Sequence, residues 1–294
     1  TAPRKDMEAF ESYKNRIKAQ LEGAKANPMA SFNDSINVTL FNNHPRKLIM
    51  QPEMLEQLNY DRIIEMYKER FADADDFKFF FVGNIDIEKV KPLIAQYIGS
   101  LPSIKGSESL IDRKINIVKG QKVKEYAKEQ QTPMATIAMF HTGNCKYTLK
   151  NKILLDYLTQ ILRQLYTEEV REKEGGTYGV SCGGSFEKYP KGEILVQVVY
   201  QTDPAKKDHL NKVVDAQLEK IVAEGPTEAQ IQKVKEYMLK KYNDNQKENG
   251  YWMGNLNEYF YTGLDKNANY DTIVNSITAK DIQKFAAALV KQGN

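Results

Sequence analysis

The chain has 294 residues, of which 41% are hydrophobic and 28% are charged, and its formal net charge is +3 at pH 7. This length allows one large domain or two ordinary ones. A charge so small and so evenly spread argues against nucleic acid or a membrane surface as the partner. No apolar run approaches the roughly 20 residues that span a bilayer. The first residues do not resemble a secretion signal and lack an initiator Met, so we expect a piece of a longer protein.

Helical periodicity dominates the first part of the chain, with one interruption. Between the last two predicted helices, a short apolar run over 77–82 predicts a strand buried on both faces. A polar stretch over 104–112 is the best candidate for a linker between domains. The helices are predicted over 5–26, 32–41, 53–72 and 86–98.

Strands become frequent after the linker, and helices then continue to the end of the chain. A strongly amphipathic helix is predicted over 149–172. Thr227 with Gln230, and Thr278 with Asp281, have the spacing of helix N-terminal caps. The strands are predicted over 114–118, 122–128, 133–141, 176–186 and 192–201.

A weak internal repeat relates the two parts of the chain. Residues 58–63 resemble residues 277–282, and a long helix and an aromatic helical zone precede each of them. We therefore predict an α+β fold of two homologous domains, each a mixed or antiparallel sheet with helices packed largely on one face. Residues 1–103 would be the second half of the first domain, which would lack its opening strands. Residues 113–294 would be the second domain without its last strand.

No familiar catalytic or metal-binding spacing occurs in the sequence. The three histidines, His44, His141 and His209, are too far apart for HExxH or its inverse, HxxEH. The two cysteines, Cys145 and Cys182, have no CxxC neighbour, and the sequence leaves open whether they form a bridge. Neither a phosphate-binding glycine loop followed by a helix nor a GxSxG motif is present. We therefore predict no metal ligand and no catalytic residue within this chain.

Arg171 and Tyr178 remain as candidates, seven positions apart on either side of a Gly-Gly corner. One interpretation is purely structural: a cation is favoured in the last turn of a helix, and tyrosine is common in strands. The other is that guanidinium and phenol point into a cavity, where they bind carbonyl or developing oxyanion oxygens of a peptide. The spacing alone does not decide between them.

The region around this corner resembles the C-terminal half of the insulinase-like zinc peptidases, the pitrilysin (M16) or inverzincin family. The arginine and tyrosine of that family, seven positions apart, match Arg171 and Tyr178. Because the matching segments occur in order along nearly the whole chain, the resemblance is more specific than this one motif. The segments are 67–71, 77–86, 97–102, 165–180 and 277–283.

This resemblance implies a protease in which two similar halves, each of two homologous α+β domains, close around a peptide. The N-terminal half carries HxxEH and the zinc ion, and the C-terminal half has lost them. By this resemblance residues 1–103 belong to the third domain and residues 113–294 to the fourth. Arg171 and Tyr178 bind the peptide substrate, and zinc is held only by the missing half. The compartment would be the periplasm or cell envelope if the parent is an exported bacterial peptidase.

The alternative belongs to a different functional class. Some members of such families keep the fold without the chemistry, so the chain could also come from a non-catalytic peptide-binding or scaffold protein. The presence or absence of HxxEH in the missing half would distinguish the two hypotheses. Under either hypothesis we expect the fragment alone to bind no zinc and to cleave no peptide.

Overall fold

The computed structural model of the chain describes residues 3–104 and 109–293. The linker predicted over 104–112 therefore falls partly on residues 105–108, which lie outside the described residues. No helix within the described residues is both long enough and apolar enough to cross a lipid bilayer. The chain forms two compact units: unit 1 consists of Thr1–Val118 and Lys124–Lys128, and unit 2 of Lys119–Val123 and Glu129–Asn294.

Unit 1 is helical throughout the regular elements that the structure describes. Its helices begin where side-chain oxygens of Asp6, Asn27, Asn59 and Asp86 accept hydrogen bonds from first-turn N–H groups. The helix predicted over 53–72 is divided, because a short 3₁₀ helix ends before Asn59 caps a new helix. The helices are α1 (Met7–Lys25), α2 (Pro28–Phe41), α3 (Tyr60–Arg70) and α4 (Ile87–Tyr97).

The strand predicted over 77–82 is wrong. The segment has no regular structure, and the side chains of Phe79 and Phe81 are about half exposed. A strand needs a neighbour for its backbone hydrogen bonds, and the described residues of unit 1 contain none. The phenylalanines contact one another instead, with the ring of Phe77 5.3 Å from that of Phe71.

The strands predicted over 114–118 and 122–128 are also wrong. In the first segment, the N–H of Val118 donates to the carbonyl of Leu40 at the end of α2, 2.8 Å away. In the second, the Lys128 ammonium donates to the carbonyl of Lys25 at 3.0 Å. Hydrogen bonds of this kind to the ends of helices do not form the repeated backbone pairing of a β-sheet. The second segment is also highly charged, so it has little apolar surface to bury in a sheet.

Unit 2 contains a three-stranded antiparallel sheet with the strand order β1-β3-β2. The register places His141 opposite Val196 and Cys182 opposite Val198. A short loop over 188–192 joins the neighbouring antiparallel strands β2 and β3, whereas β1 pairs with β3, which follows it only after a helix and β2. The strands are β1 (Ala135–Asn144), β2 (Val180–Glu187) and β3 (Glu193–Thr202).

Helices cover one face of this sheet. Val196, Val198 and Tyr200 of β3 are almost fully buried on that face, whereas Gln197 and Val199 on the other face remain partly exposed. This arrangement confirms the predicted α+β class. The helices of unit 2 are α5 (Leu149–Tyr166), α6 (Lys207–Glu224), α7 (Glu228–Asn245), α8 (Asn249–Thr262), α9 (Tyr270–Ser276) and α10 (Ala279–Val290).

Helix α5 is the centre of the core of unit 2. Leu158, Ile161 and Leu162 along its apolar stripe are fully buried. The guanidinium of Arg163 donates to the carbonyl of Cys182 at 2.6 Å, which fixes the helix to β2. Both predicted caps are confirmed as capping boxes, the first at α7 and the second at α10.

Candidate functional site

The candidate site begins where α5 ends. The α-helical part of the predicted helix ends at Tyr166, and a π-helical turn over Thr167–Lys173 follows it directly. Arg171 lies in this turn, and its side chain is exposed. A π turn widens the helix by one residue and is frequent at functional sites. The neighbouring Lys173 pairs with Glu169 at 2.8 Å. Arg171, in contrast, has no ion pair or hydrogen bond with any of the described residues.

Two glycines turn the chain from this helix toward β2. Gly175 has a left-handed backbone conformation, with φ of +56°. A Cβ atom on Gly176 would lie 2.6 Å from a methyl group of Leu210, whose side chain is fully buried. The carbonyl of Gly176 also accepts a hydrogen bond from the Thr202 hydroxyl at 2.6 Å. The corner therefore requires small residues and is fixed to both β3 and α6.

We expect Gly176→Ala to lower the free energy of unfolding of unit 2 by about 1–3 kcal/mol, because the new methyl group would overpack against Leu210. Urea unfolding followed by the fluorescence of Trp252, the single tryptophan of the chain, measures this. Gly179→Ala is the control, since a Cβ there would meet nothing within 4 Å. Equal stability of the two variants would contradict the tight contact.

Tyr178 follows the corner and points into solvent. Its side chain is fully exposed, with a relative accessibility of 101%. The Thr177 hydroxyl donates to the carbonyl of Gly179 at 3.1 Å and accepts from its N–H at 3.3 Å, so the backbone on either side of the tyrosine is fixed. The phenol ring has no ring contact or hydrogen bond among the described residues. The structure thus holds the backbone and leaves the hydroxyl without a partner.

One further contact at the corner could not be seen in the sequence. Nε2 of His209, on α6, lies 2.8 Å from a carboxylate oxygen of Glu174. The two residues are 35 positions apart, and neither they nor Thr202 and Leu210 belong to a local motif. Only the tertiary fold brings them together.

Arg171 and Tyr178 lie on either side of the Gly175-Gly176 turn in unit 2, and both side chains are exposed. No direct contact joins the two side chains in the described part of the chain. Neither belongs to the lining of the cavity between α5 and α7 or of the apolar cavity beside α4. The arrangement offers a cation and a hydroxyl donor to a partner that approaches the corner from solvent.

The histidines do not form a metal site. His44 lies in a turn of unit 1, where its Nδ1 accepts a hydrogen bond from the N–H of Arg46 at 3.1 Å. His141 is partly buried on β1, and this burial lowers its pKa although Asp215 opposes the shift. Within residues 3–104 and 109–293, no group of three or more His, Cys, Asp or Glu side chains could hold a metal ion. The residues that the structure describes therefore do not fit a zinc site.

The cysteines are also poor candidates for chemistry. Both thiols are free, so the structure contains no bridge between Cys145 and Cys182. Burial raises the pKa of Cys145, and it raises the pKa of Cys182 to about 12. Because the thiolate is the reactive form, neither side chain is a ready nucleophile at neutral pH.

Comparison with known proteins assigns the chain to one family. A family model described as "Peptidase M16 inactive domain" matches residues 57–238, which is more than half of the chain. The chain is 23% identical over 180 residues to the probable zinc protease PqqL of Haemophilus influenzae. That alignment covers 60% of the chain and 19% of the relative, so the chain spans about a fifth of the relative's length.

Two solved structures extend the comparison to the fold. The crystal structure of the periplasmic protease PqqL from Escherichia coli superimposes with a TM-score of 0.81 at 18% identity, covering 96% of this chain and 31% of that one. The first half of the same protease superimposes with a TM-score of 0.72 at 12% identity, covering 97% of this chain and 64% of that one. The fold of the chain is therefore similar both to a part of the whole protease and to its first half.

Proposed function

Because the chain belongs to the peptidase M16 inactive domain family, we propose that it forms the metal-free C-terminal half of a zinc metalloendopeptidase. Its role would be to bind the peptide substrate. Residues 1–103 would contribute the second half of the third domain of the protease, and residues 113–294 the fourth domain. The partner would be an N-terminal half with HxxEH, on the same chain or on another subunit. The similarity of this fold to the first half of PqqL supports such a repeated architecture.

The observation that carries the proposal is the full exposure of Tyr178 on a fixed corner. A hydroxyl without a partner is ready to donate a hydrogen bond to the scissile carbonyl or to the oxyanion that forms from it. Arg171 would orient the peptide through its carbonyl oxygens, or it would support the tyrosine. Zinc, when held by the other half, supplies an activated water. The described residues of this chain would supply binding and orientation.

We expect Arg171→Ala in the complete protease to raise KM about tenfold or more with a smaller change in kcat, because a lost charge-assisted hydrogen bond costs about 1.5–3 kcal/mol. Steady-state kinetics on a quenched fluorescent peptide measures this. Lys173→Ala is the matched control, since that lysine is already paired with Glu169. An unchanged KM in the Arg171 variant, or an equal rise in the control, would remove arginine from substrate binding.

A complementation assay tests the proposed function as a whole. The complementary half and this chain are produced separately, and hydrolysis of the quenched peptide is measured for each alone and for the mixture. We expect neither half to cleave the peptide and the mixture to do so. If the mixture binds the peptide without cleaving it, the scaffold hypothesis is correct and the enzyme proposal is wrong. If the parent is exported, as PqqL of E. coli is, the protease would act in the periplasm or cell envelope.

A further inference from the structure

A cavity of about 250 Å³ lies between α5 and α7, on a different part of unit 2 from the corner with Arg171 and Tyr178. Its floor is apolar and includes Ile153 and Met238. Its walls carry four tyrosines, three lysines and a single carboxylate, that of Asp156. These charged and aromatic residues are Lys152, Asp156, Tyr237, Lys241, Tyr242, Tyr251, Lys266 and Tyr270.

The backbone carbonyl of Asp156 accepts a hydrogen bond from the Thr159 hydroxyl. Its carboxylate has no hydrogen bond or ion pair within the described residues, although Lys152 lies one helical turn before it. The Lys152 ammonium is engaged elsewhere: it donates to Glu258 at 3.1 Å and to the Tyr147 hydroxyl at 2.9 Å. Lys266 pairs with the other oxygen of Glu258, also at 3.1 Å. Two of the three lysines in the lining are thus engaged with Glu258, and the Asp156 carboxylate is left as an acceptor that lines the cavity.

The walls around this carboxylate are aromatic. Tyr242 stacks on Tyr270 with a centroid distance of 4.4 Å, and Tyr251 meets Tyr242 edge to face at 6.4 Å. Lys241 lies over the ring of Tyr237 at 5.7 Å, which already shows the preference of such rings for a cation. Aromatic rings around a cation are a usual arrangement for recognition of organic ammonium groups.

The lining itself carries three ammonium groups and one carboxylate, and carboxylates outside the lining reverse this balance. Carboxylates on α8, α9, β2 and the loop before α9 act on the lining lysines and tyrosines, so carboxylates outnumber ammonium groups by five to three. The carboxylates are Asp156, Glu187, Glu258, Asp265 and Asp271, and the ammonium groups are Lys152, Lys241 and Lys266.

We propose that this cavity binds a guanidinium or alkylammonium group, with the Asp156 carboxylate as its acceptor and the tyrosine rings as its walls. The volume is below the roughly 300–1,000 Å³ of sites for drug-sized ligands, so the cavity suits one basic side chain rather than a longer peptide segment. The proposal does not depend on the protease activity and can be tested on this chain alone.

The ionisation of Asp156 gives the proposal a pH dependence. The Asp156 side chain is exposed to solvent through the open cavity, and partial desolvation by the protein around it raises its pKa to about 6 against the opposing effect of Lys152, Lys241 and Lys266. The group is therefore charged near neutral pH and mostly protonated near pH 5. Since a protonated carboxyl no longer attracts a cation, binding near pH 5 should be about tenfold weaker than near pH 7.5.

The test is a calorimetric or NMR titration of the 294-residue chain with N-acetyl-arginine amide. N-acetyl-citrulline amide is the matched probe, because it has nearly the same shape and no charge. We expect the arginine probe to bind at least about tenfold more tightly, and Asp156→Asn to remove this difference, since one charge-assisted bond is worth about 1.5–3 kcal/mol. Asp208→Asn, at an exposed carboxylate on α6, is the control and should bind both probes like the unchanged chain.

Asp156→Asn should fold normally. Folding raises the pKa of Asp156, which means that the charged carboxylate does not stabilise the folded state, so replacing it by a neutral amide removes no stabilising charge. Thermal unfolding of the variant checks this. Equal binding of the two probes, unchanged binding by Asp156→Asn, or tighter binding of the arginine probe near pH 5 would each overturn the proposal. Because no peptide is cleaved in this experiment, its failure is independent of any failure of the proposed function.

Discussion

Replacing Tyr178 by phenylalanine in the complete protease is expected to lower kcat by about 10²–10³, which is the usual cost of removing one donor to a developing oxyanion. The exposed ring has no other contact among the described residues, so the substitution deletes a hydroxyl and disturbs nothing else. The free energy of unfolding should therefore stay within about 0.5 kcal/mol of the original value. Single-turnover kinetics, combined with urea unfolding, measures both quantities.

Tyr259→Phe is the matched control for this experiment. Tyr259 is half exposed in unit 2, and it lies on α8 rather than at the corner. We expect the loss of the Tyr259 hydroxyl to leave kcat unchanged. If Tyr178→Phe turns over peptide at the original rate, the tyrosine has only a structural role. If it loses stability as well as rate, the loss of turnover does not report on the hydroxyl.

The second large effect is expected at Gly192, between β2 and β3. Its backbone has φ of +72°, and an added Cβ would lie 2.2 Å from the carbonyl oxygen of Cys145. The backbone of Cys145 is held in place next to Gly192, because the N–H of Cys145 donates to the carbonyl of Gly192 at 2.9 Å. Backbone strain and overpacking each cost about 1–3 kcal/mol, so Gly192→Ala should destabilise unit 2 by roughly 3 kcal/mol or more.

Gly183→Ala provides the comparison for Gly192→Ala. Gly183 is in β2, has no positive φ, and a Cβ there would meet nothing within 4 Å. The fold does not require a glycine at this position, and alanine has less conformational freedom than glycine in the unfolded chain. Gly183→Ala should therefore be neutral or should raise the free energy of unfolding by about 0.4–1 kcal/mol. Fluorescence of Trp252 during urea unfolding follows both variants. If the two unfold at the same denaturant concentration, the close approach to Cys145 is wrong.

Local signals in the sequence predicted the helices well. The capping boxes at Thr227 and Thr278 mark the starts of α7 and α10, and the apolar stripe of α5 became the buried centre of unit 2. Such signals depend on residues three or four positions apart, which a sequence displays directly. The three strands of unit 2 were also predicted, although β2 begins at Val180, later than the predicted 176.

Strand predictions failed where the chain offers no neighbour within the described residues. An apolar run such as 77–82 indicates surface to be buried, but a strand forms only if another strand supplies its hydrogen bonds. The end of α5 failed for a different reason, since the periodicity of its residues does not distinguish a π turn from an α turn. Neither the presence of a pairing strand nor the type of helical turn can be read from the spacing of apolar residues alone.

The candidate site was predictable only in part. The spacing of Arg171 and Tyr178 and the resemblance to a peptidase family pointed to these residues, and the structure adds that both are exposed. The contacts that hold the corner join residues 26 and 35 positions apart and leave no trace in the spacing. Asp156 was hidden differently, because a lysine four residues earlier made it look like half of an ordinary surface ion pair.

The most direct test of the central claim is a structure of the complete protease with an uncleaved peptide, from which the distance between the Tyr178 hydroxyl and the scissile carbonyl oxygen is measured. We predict a hydrogen-bond distance of about 2.7–3.1 Å, with the Arg171 guanidinium in contact with the peptide or with the tyrosine. A Tyr178 side chain that packs against protein, away from the bound peptide, would contradict the account.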